Sequence, residues 1–325
     1  MENFTLAAPR TIEAALAAAQ QPDVKFIAGG TDLLQLMKDF VERPKQLVDL
    51  DGLPFDRFSI GNDGARIGAL VRMSDLADDP TFRRHYPVVA EALLASASPQ
   101  VRNMATIGGN LLQRTRCGYF RDVGFAACNK RQPGSGCAAI QGVNRLHAIL
   151  GGSEHCVATH ASDLAVALTA IDAAIELQGG DGMRTVPIGE FYRLPGDAPE
   201  RETAMKPGEI ITAILLPPPG RAERSHYLKL RDRASFEFAL VSAAVVVALE
   251  DGRIRSARVA MGGVGTRPWR LPAVEAALAG APATREALTA ATAAAADGAR
   301  PLAENGFKIP LMRRALVRAL LTATA

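Results

Sequence analysis

The sequence predicts an α+β protein of more than one domain, and three observations support this prediction. The chain has 325 residues, more than the ~100 to 200 residues of a usual domain. Short apolar runs typical of strands alternate with stretches whose apolar residues recur at helical spacing. A proline-rich linker, LLPPPG at Leu215 to Gly220, separates a longer first part from an alanine-rich second part.

In the first part of the chain, the pattern of apolar residues predicts strands and helices in alternation. Val24 to Ala28 (VKFIA) predicts a buried strand that ends at Gly29-Gly30, and LLQLMKDF predicts a helix. QLVDL and ARIGAL predict strands, and TFRRHYPVVAEALLASA predicts one helix that Ser98-Pro99 stops. Thr106 to Asn110 (TIGGN) predicts a second glycine turn. Further on, DLAVALTAIDA predicts a helix, and AAIELQ and TVPIGE predict strands.

The second part predicts a separate α+β domain. FALVSAAVVVALE and IRSARVAMGG are typical of paired strands, and the tail from Pro272 onward is typical of about three helices.

The composition excludes several functional classes. Hydrophobic residues make up 48% and charged residues 22%, which are ordinary values for a soluble globular protein. The formal charge of +3 is small for this length and does not indicate the concentrated basic face of a nucleic-acid-binding protein. No apolar run approaches the ~20 residues of a membrane span, and MENFTLAAPR lacks the basic and apolar regions of a signal peptide. We therefore expect no nucleic-acid partner, no membrane span and no export signal on this chain.

Two glycine pairs, Gly29-Gly30 and Gly108-Gly109, each follow an apolar stretch and precede a polar residue. Consecutive glycines let backbone N–H groups approach an anion closely, and a helix that starts there adds its positive end. A pyrophosphate would suit such loops, although each pair alone could equally be an ordinary turn. Neither pair forms the G-x-G-x-x-G pattern of a Rossmann dinucleotide site.

Together, KFIAGGTDLL and SPQVRNMATIGGNLL resemble the two pyrophosphate loops of the FAD domain in xanthine dehydrogenase and carbon monoxide dehydrogenase flavoproteins. KLRDRASFEFALVSAAVVVAL and RIRSARVAMGGVGTRPWR resemble later parts of the same family, so the resemblance spans nearly the whole chain. It implies a two-subdomain FAD-binding domain of the vanillyl-alcohol oxidase (PCMH) type over residues 1–220, with an internal boundary near residue 55. A smaller α+β domain of the CO dehydrogenase flavoprotein type would follow over residues 221–325.

The resemblance also implies which residues bind FAD. Phe26 to Leu33 would hold the pyrophosphate, the second loop would add contacts, Asp163 would bind the ribityl or pyrophosphate region, and Lys229 would lie near the flavin. From the residues alone, Asp163 in THASDLA could instead be a helix N-cap, and Lys229 could be an exposed lysine. The residues expected to bind the cofactor are Phe26, Ile27, Ala28, Gly29, Gly30, Thr31, Asp32, Leu33, Thr106, Gly109, Asn110, Asp163 and Lys229.

All four cysteines lie in one aperiodic stretch, residues 114–159, which we call the cysteine segment. Their pattern is C-x10-C-x8-C-x18-C, formed by Cys117, Cys128, Cys137 and Cys156. A zinc ribbon would normally show a C-x2-C pair, which is absent here. Two disulfides would need an oxidising compartment. A 4Fe-4S cluster needs only four converging thiolates, which irregular loops can supply.

Charge in the cysteine segment favours the iron-sulfur cluster, because cations stabilise an anionic centre. The only acidic residues here are Asp122 and Glu154. The basic residues are Arg114, Arg116, Arg121, Lys130, Arg131 and Arg145. The segment resembles the insertion that binds a 4Fe-4S cluster in the FAD subunit of bacterial periplasmic aldehyde oxidoreductases. His147, His155 and His160 are then expected to be hydrogen-bonding loop residues rather than ligands.

No Ser-His-Asp, H-E-x-x-H or paired-carboxylate pattern predicts a catalytic residue, which is consistent with an electron-transfer subunit. The resemblance implies a heterotrimer in which a large subunit with a molybdenum pterin cofactor oxidises an aldehyde to a carboxylic acid. A small subunit with two 2Fe-2S clusters would pass the electrons to FAD on this chain, which would deliver them to an external acceptor. The compartment would be periplasmic if a signal-bearing partner is co-exported, and otherwise cytoplasmic.

Other functions remain open from the sequence. Where animal xanthine dehydrogenases have an aromatic residue over the flavin, this chain has Ser96, which favours a ferredoxin, a quinone-linked carrier or oxygen over NAD as acceptor. The alternatives are a xanthine dehydrogenase-like NAD-reducing subunit, a stand-alone flavin oxidase of the vanillyl-alcohol oxidase class, and a zinc-stabilised interaction module.

Overall fold

The computed structural model describes residues 1–220 and 223–325. Its first sheet is parallel, and the predicted strands VKFI and QLVD are confirmed as two of its three strands. The strands are β1 (Thr5–Ala7), β2 (Val24–Ile27) and β3 (Gln46–Asp49), in the order β1-β3-β2. Helices α1 (Ile12–Ala18) and α2 (Leu33–Lys38) join them. The turn between β2 and α2 carries the first glycine pair.

A second, antiparallel sheet has the strand order β4-β5-β8-β6-β7. Its strands are β4 (Phe58–Gly61), β5 (Gly64–Gly68), β6 (Ala174–Gly179), β7 (Gly182–Pro187) and β8 (Ile210–Leu216). The predicted linker therefore began too early. Leu215 and Leu216 belong to β8 at the centre of this sheet, where they pair with Arg66 and Ala65.

Seven helices lie between β5 and β6 in the described chain. They are α3 (Met73–Asp78), α4 (Pro80–His85), α5 (Pro87–Ala95), α6 (Pro99–Met104), α7 (Ile107–Leu111), α8 (Gly118–Arg121) and α9 (Asp163–Ala170), and α10 (Ile188–Phe191) follows β7. The single helix predicted for TFRRHYPVVAEALLASA is wrong, because it breaks at Tyr86 into α4 and α5. Pro87 disfavours helical geometry at the residue before it, and Tyr86 has a φ of -132° and a ψ of 58°.

The predicted pair of strands in the second part is confirmed within a third sheet of order β12-β11-β10-β9. Its strands are β9 (Glu223–Leu230), β10 (Val241–Glu250), β11 (Arg253–Gly262) and β12 (Trp269–Arg270). Helices α11 (Pro272–Leu278), α12 (Arg285–Ala291) and α13 (Lys308–Thr324) follow, with a 3₁₀ helix at Thr292–Ala296.

Strand β10 is buried on both faces, which explains the run of apolar residues from Ala243 to Leu249. Val245 and Val247 pack in the core formed with the C-terminal helices. Ala244 and Val246, on the opposite face, pack in the core shared with α5 and α9. The third sheet therefore joins the two parts of the chain through buried apolar contacts. In the described ranges, no helix is both long and apolar enough to cross a bilayer.

Candidate functional site

A cavity of about 610 Å³ is lined by residues from all three sheets and their helices. Its volume lies within the ~300 to 1,000 Å³ of small-molecule and cofactor sites. Every residue expected to bind the cofactor lines this cavity: Phe26, Ile27, Ala28, Gly29, Gly30, Thr31, Asp32, Leu33, Thr106, Gly109, Asn110, Asp163 and Lys229.

The first glycine pair is required by its surroundings. A Cβ on Gly29 would lie 1.9 Å from the carbonyl oxygen of Met104, and Gly30 has a φ of +68°, where other residues are strained. Within the ranges that the structure describes, the backbone N–H groups of residues 29–32 donate to no other protein group. Because these donors line the cavity, they can bind an anionic group such as a pyrophosphate.

The second glycine pair is not the predicted turn, because it lies inside α7. Thr106 caps this helix, and its Oγ1 accepts a 3.2 Å hydrogen bond from Gly109 N. Gly108 packs against Ala69, where an added Cβ would come within 2.9 Å of the Ala69 Cβ. These glycines therefore bring α7 close to the end of β5 and to the cavity.

Asp163 and Lys229 form a buried ion pair at the cavity wall. Their Oδ2 and Nζ atoms are 2.7 Å apart, and the side chains are 7% and 4% exposed. The alternative of an exposed lysine is therefore wrong. The alternative of Asp163 as N-cap is wrong too, because Ser162 caps α9 by accepting from Ala165 N.

Two further side chains hold Asp163 in place. The Ser96 hydroxyl donates to its Oδ2 at 3.1 Å, and the Tyr227 hydroxyl donates to its Oδ1 at 2.6 Å. Burial and the neighbouring Asp163 raise the pKa of Tyr227 well above its usual value, so this hydroxyl stays protonated. Sequence reasoning missed Tyr227. Its place two residues before Lys229 on β9, and so on the same face, was the available signal.

Asp32 connects the cavity to the cysteine segment. Its carboxylate accepts from Arg114 N at 2.8 Å and from Arg121 Nη2 at 2.6 Å, and Arg116 Nη2 lies 2.9 Å away. Burial lowers the pKa of Arg116 to about 10, which leaves it charged at neutral pH. Asp32 therefore uses its side chain to hold the cysteine segment, while its backbone lines the cavity.

Cys117, Cys128, Cys137 and Cys156 line one small cavity beside the larger one. All four thiols are free, so the two disulfides considered from the sequence are not formed. Cys128 and Cys137 face each other in an antiparallel bridge. Across residues 1–220 and 223–325, no group of three or more His, Cys, Asp or Glu residues is placed to hold one metal ion.

The basic residues of the cysteine segment are already engaged by other groups. Arg114 binds Glu42 and Glu202, Lys130 binds Glu202, and Arg145 binds Asp232. Although burial acts to raise the pKa of Glu202, Arg114 and Lys130 hold it below its usual value. The cationic excess seen in the sequence is thus largely offset by carboxylates from elsewhere in the chain, and it is weaker support for an anionic centre than the sequence indicated.

The three histidines near the cysteines have different surroundings. His147 Nε2 lies 3.2 Å from Cys117 Sγ, and burial lowers the pKa of His147 to about 4. His155 is half exposed and lies 3.4 Å from Asp197. His160 is packed edge-on to Tyr192, and burial lowers its pKa to about 4.

Two family models match the chain. Residues 2–219 match the FAD binding domain in molybdopterin dehydrogenase, and residues 226–324 match the CO dehydrogenase flavoprotein C-terminal domain.

Curated relatives match over nearly their full length. The aldehyde oxidoreductase FAD-binding subunit PaoB of Escherichia coli is 49% identical, over 100% of this chain and 99% of the relative. The carbon monoxide dehydrogenase medium chain of Afipia carboxidovorans is 28% identical, over 98% and 96%. Among solved structures, a carbon monoxide dehydrogenase from Hydrogenophaga pseudoflava matches with a TM-score of 0.77 at 27% identity, over 99% of this chain and 97% of that one.

Proposed function

Because the chain belongs to the FAD-binding medium subunits of the molybdenum hydroxylase family, we propose that it is the FAD- and 4Fe-4S-binding electron-transfer subunit of an aldehyde oxidoreductase. The observation that carries this proposal is the 49% identity to an aldehyde oxidoreductase FAD subunit along the entire chain. Residues 1–220 would form the FAD-binding domain, and residues 221–325 the C-terminal domain.

The residues around the cavity fit FAD. The unpaired N–H groups of residues 29–32 would bind the pyrophosphate. Gly29 and Gly30 allow the loop its shape, because Gly29 lies against the Met104 carbonyl and Gly30 has a φ of +68°. Thr106, Gly109 and Asn110 also line the cavity and would add contacts to the cofactor. Apolar residues of the cavity, among them Ile27 and Leu33, would exclude water from the bound cofactor.

The Asp163–Lys229 pair would set the charge next to the flavin. FAD, when bound, supplies reversible two-electron chemistry. Lys229 places a buried ammonium at the cavity wall, where a cation favours an anionic reduced flavin. Asp163 pairs with Lys229 at 2.7 Å, and Tyr227 and Ser96 fix its carboxylate.

The four cysteines would hold one 4Fe-4S cluster. Their convergence on one cavity, from positions spread over the cysteine segment, supports this assignment. The absence of a single-ion site in the described chain is compatible with it, since each thiolate of a 4Fe-4S cluster binds a different iron. Burial raises the pKa of Cys117 to about 12, so this thiol would lose its proton only on binding metal.

In this proposal the chain works with two partners, a large subunit with the molybdenum pterin cofactor and a small subunit with two 2Fe-2S clusters. It would receive electrons from the small subunit and pass them to an external acceptor. Ser96 is buried and bonded to Asp163, so it offers no aromatic surface for stacking a nicotinamide. This favours a ferredoxin, a quinone-linked carrier or oxygen as the acceptor.

The test is analysis of the purified native complex for FAD, iron, acid-labile sulfide, zinc and molybdenum, with its mass. We expect one FAD and four irons with four sulfides on this chain, beside the four irons of the small subunit, in a complex of three chain types. A stable homodimer active on an aldehyde without molybdenum, or a chain with zinc and no iron, would contradict the proposal.

A further inference from the structure

We propose that the imidazole of His147 donates a hydrogen bond to the thiolate of Cys117 and thereby raises the reduction potential of the iron-sulfur cluster. This inference rests on the cluster proposed above, and it assigns a function to a histidine that is not itself a ligand.

The contact has the geometry of a hydrogen bond to sulfur. His147 Nε2 lies 3.2 Å from Cys117 Sγ. His147 is only 6% exposed, so water has little access to compete for this bond. The ring also faces Tyr119, with 6.1 Å between the ring centroids, which limits its movement away from the sulfur.

The C-terminal part of the chain fixes the backbone of His147. Its carbonyl oxygen accepts from Lys308 Nζ at 2.9 Å and from Asn305 Nδ2 at 3.2 Å. The Lys308 ammonium also donates to the carbonyl oxygens of Leu146 and Gly263, at 3.0 and 2.7 Å. Lys308 and Asn305 are both fully buried. The position of the imidazole is therefore set by contacts between two domains, and not by the cysteine segment alone.

The direction of the hydrogen bond follows from the chemistry of the ligand. A thiolate bound to iron carries no hydrogen, so the hydrogen in this contact must come from His147 Nε2. In the described part of the chain, His147 Nδ1 is buried and has no partner. A neutral ring with its hydrogen on Nε2 satisfies the contact without placing a second N–H where nothing accepts it.

The effect on the potential has a definite sign. Reduction adds one electron, and with it one negative charge, to the cluster and its sulfur ligands. A hydrogen bond donated to a ligand sulfur is stronger when that sulfur is more negative, so it stabilises the reduced state more than the oxidised state. Removing the donor should therefore lower the potential.

The experiment compares the native complex with three variants by redox titration, following the electron paramagnetic resonance of the reduced 4Fe-4S cluster. H147F removes the donor and should lower the potential. H147Q retains an N–H donor and should show a smaller shift. H85F is the control, because His85 is exposed on α4, bonds within the described chain only to the carbonyl oxygen of Thr81 and does not line the cavity of the four cysteines, and its potential should be unchanged.

Iron and sulfide are measured on the same samples. An H147F variant with full iron and an unchanged potential would overturn the inference and leave the proposed function intact. A native complex that contains only the four irons of the small subunit, and none on this chain, would overturn the proposed cluster itself.

A second measurement decides the matter if H147F loses its iron. In native complex grown with ¹⁵N-histidine, pulsed electron paramagnetic resonance of the reduced cluster should detect one weakly coupled ¹⁵N nucleus. No coupled nucleus, or the strong coupling of a nitrogen bound directly to iron, would overturn the inference.

Discussion

The cavity of about 610 Å³, which we propose binds FAD and call the FAD cavity, lies beside the cysteine segment, but different interactions hold the two regions in place. Most helices and strands around the FAD cavity pack in one of two apolar cores, the main core that includes α5 and α9 and the smaller core beneath the parallel sheet. The cysteine segment has one helix of four residues, and only Ile149 and Leu150 near its end pack in a large core. Around the cysteines the apolar cluster is small and consists of Leu36, Phe120 and Cys128, with Val41 and Cys117 packed against it. A cavity built on a core can form without its ligand, whereas an aperiodic segment needs other contacts to become ordered.

Polar contacts provide part of that order. The Arg131 guanidinium donates to the carbonyl oxygens of Tyr119 and Phe120, both at 2.8 Å, and also to those of Asp122 and Phe125. Lys130 donates to Glu202 at 2.7 Å. Such bonds to charged groups are worth ~1.5 to 3 kcal/mol each, whereas ordering the backbone costs ~1 to 2 kcal/mol for every residue of the segment. The bound cluster should therefore contribute much of the stability of the segment.

The largest expected effect comes from removing one thiolate. In Cys137→Ser the proposed cluster loses a ligand, so we expect loss of its iron and faster amide exchange across residues 114–159. Part of the FAD should remain, because most of the FAD cavity is built on the two apolar cores and not on the cysteine segment. The iron content, the FAD content and the amide exchange rates can be measured on one sample by iron counting, flavin absorbance and hydrogen exchange. A variant with full iron and the native 4Fe-4S signal would contradict this prediction.

The next effect concerns the FAD cavity. Gly30→Val places a branched side chain at a φ of +68° and disturbs the N–H groups that would bind the pyrophosphate. Loss of two charge-assisted hydrogen bonds costs about 3 kcal/mol, so FAD should bind roughly 100-fold more weakly. Fluorescence titration of released flavin measures this affinity, and iron content should stay native.

The matched control for this variant is Gly252→Val. Gly252 has a similar φ of +74°, and an added Cβ there meets no atom within 4 Å. It lies in the turn between β10 and β11, away from the FAD cavity. Equal loss of FAD in both variants would mean that general strain, and not the pyrophosphate loop, is responsible.

The smallest effect tests the link between the two regions. Asp32→Asn keeps an oxygen acceptor but removes the charge that binds Arg116 and Arg121. We expect about 2 kcal/mol lower stability of the cysteine segment, because hydrogen bonds to charged groups are worth ~1.5 to 3 kcal/mol. A urea titration measures the stability of each region separately when iron-sulfur absorbance monitors the cysteine segment and flavin absorbance monitors the FAD cavity. Asp181→Asn is the control, since its bond to Lys206 is exposed and should contribute little.

The local errors of the sequence predictions have clear physical causes. A helical pattern over TFRRHYPVVAEALLASA did not outweigh Pro87, which keeps Tyr86 out of helical geometry, so α4 ends at His85. Strand β8 was missed because its apolar run continues into a proline-rich stretch that was assigned as a linker. The Gly108-Gly109 pair was assigned to a turn, since glycine is unfavourable in helices, but close packing against Ala69 favours it there.

The sequence by itself determined the α+β class, two of the three strands of the parallel sheet, the paired strands of the second part and the concentration of all cysteines in one segment. These features follow from local periodicity and composition, which neighbouring residues carry. Only the tertiary structure decided that Asp32 binds the cysteine segment, that Asp163 pairs with Lys229, and that His147 contacts Cys117. Such contacts join residues 30 to 89 positions apart, and no local pattern encodes them, because they depend on how separate elements pack together.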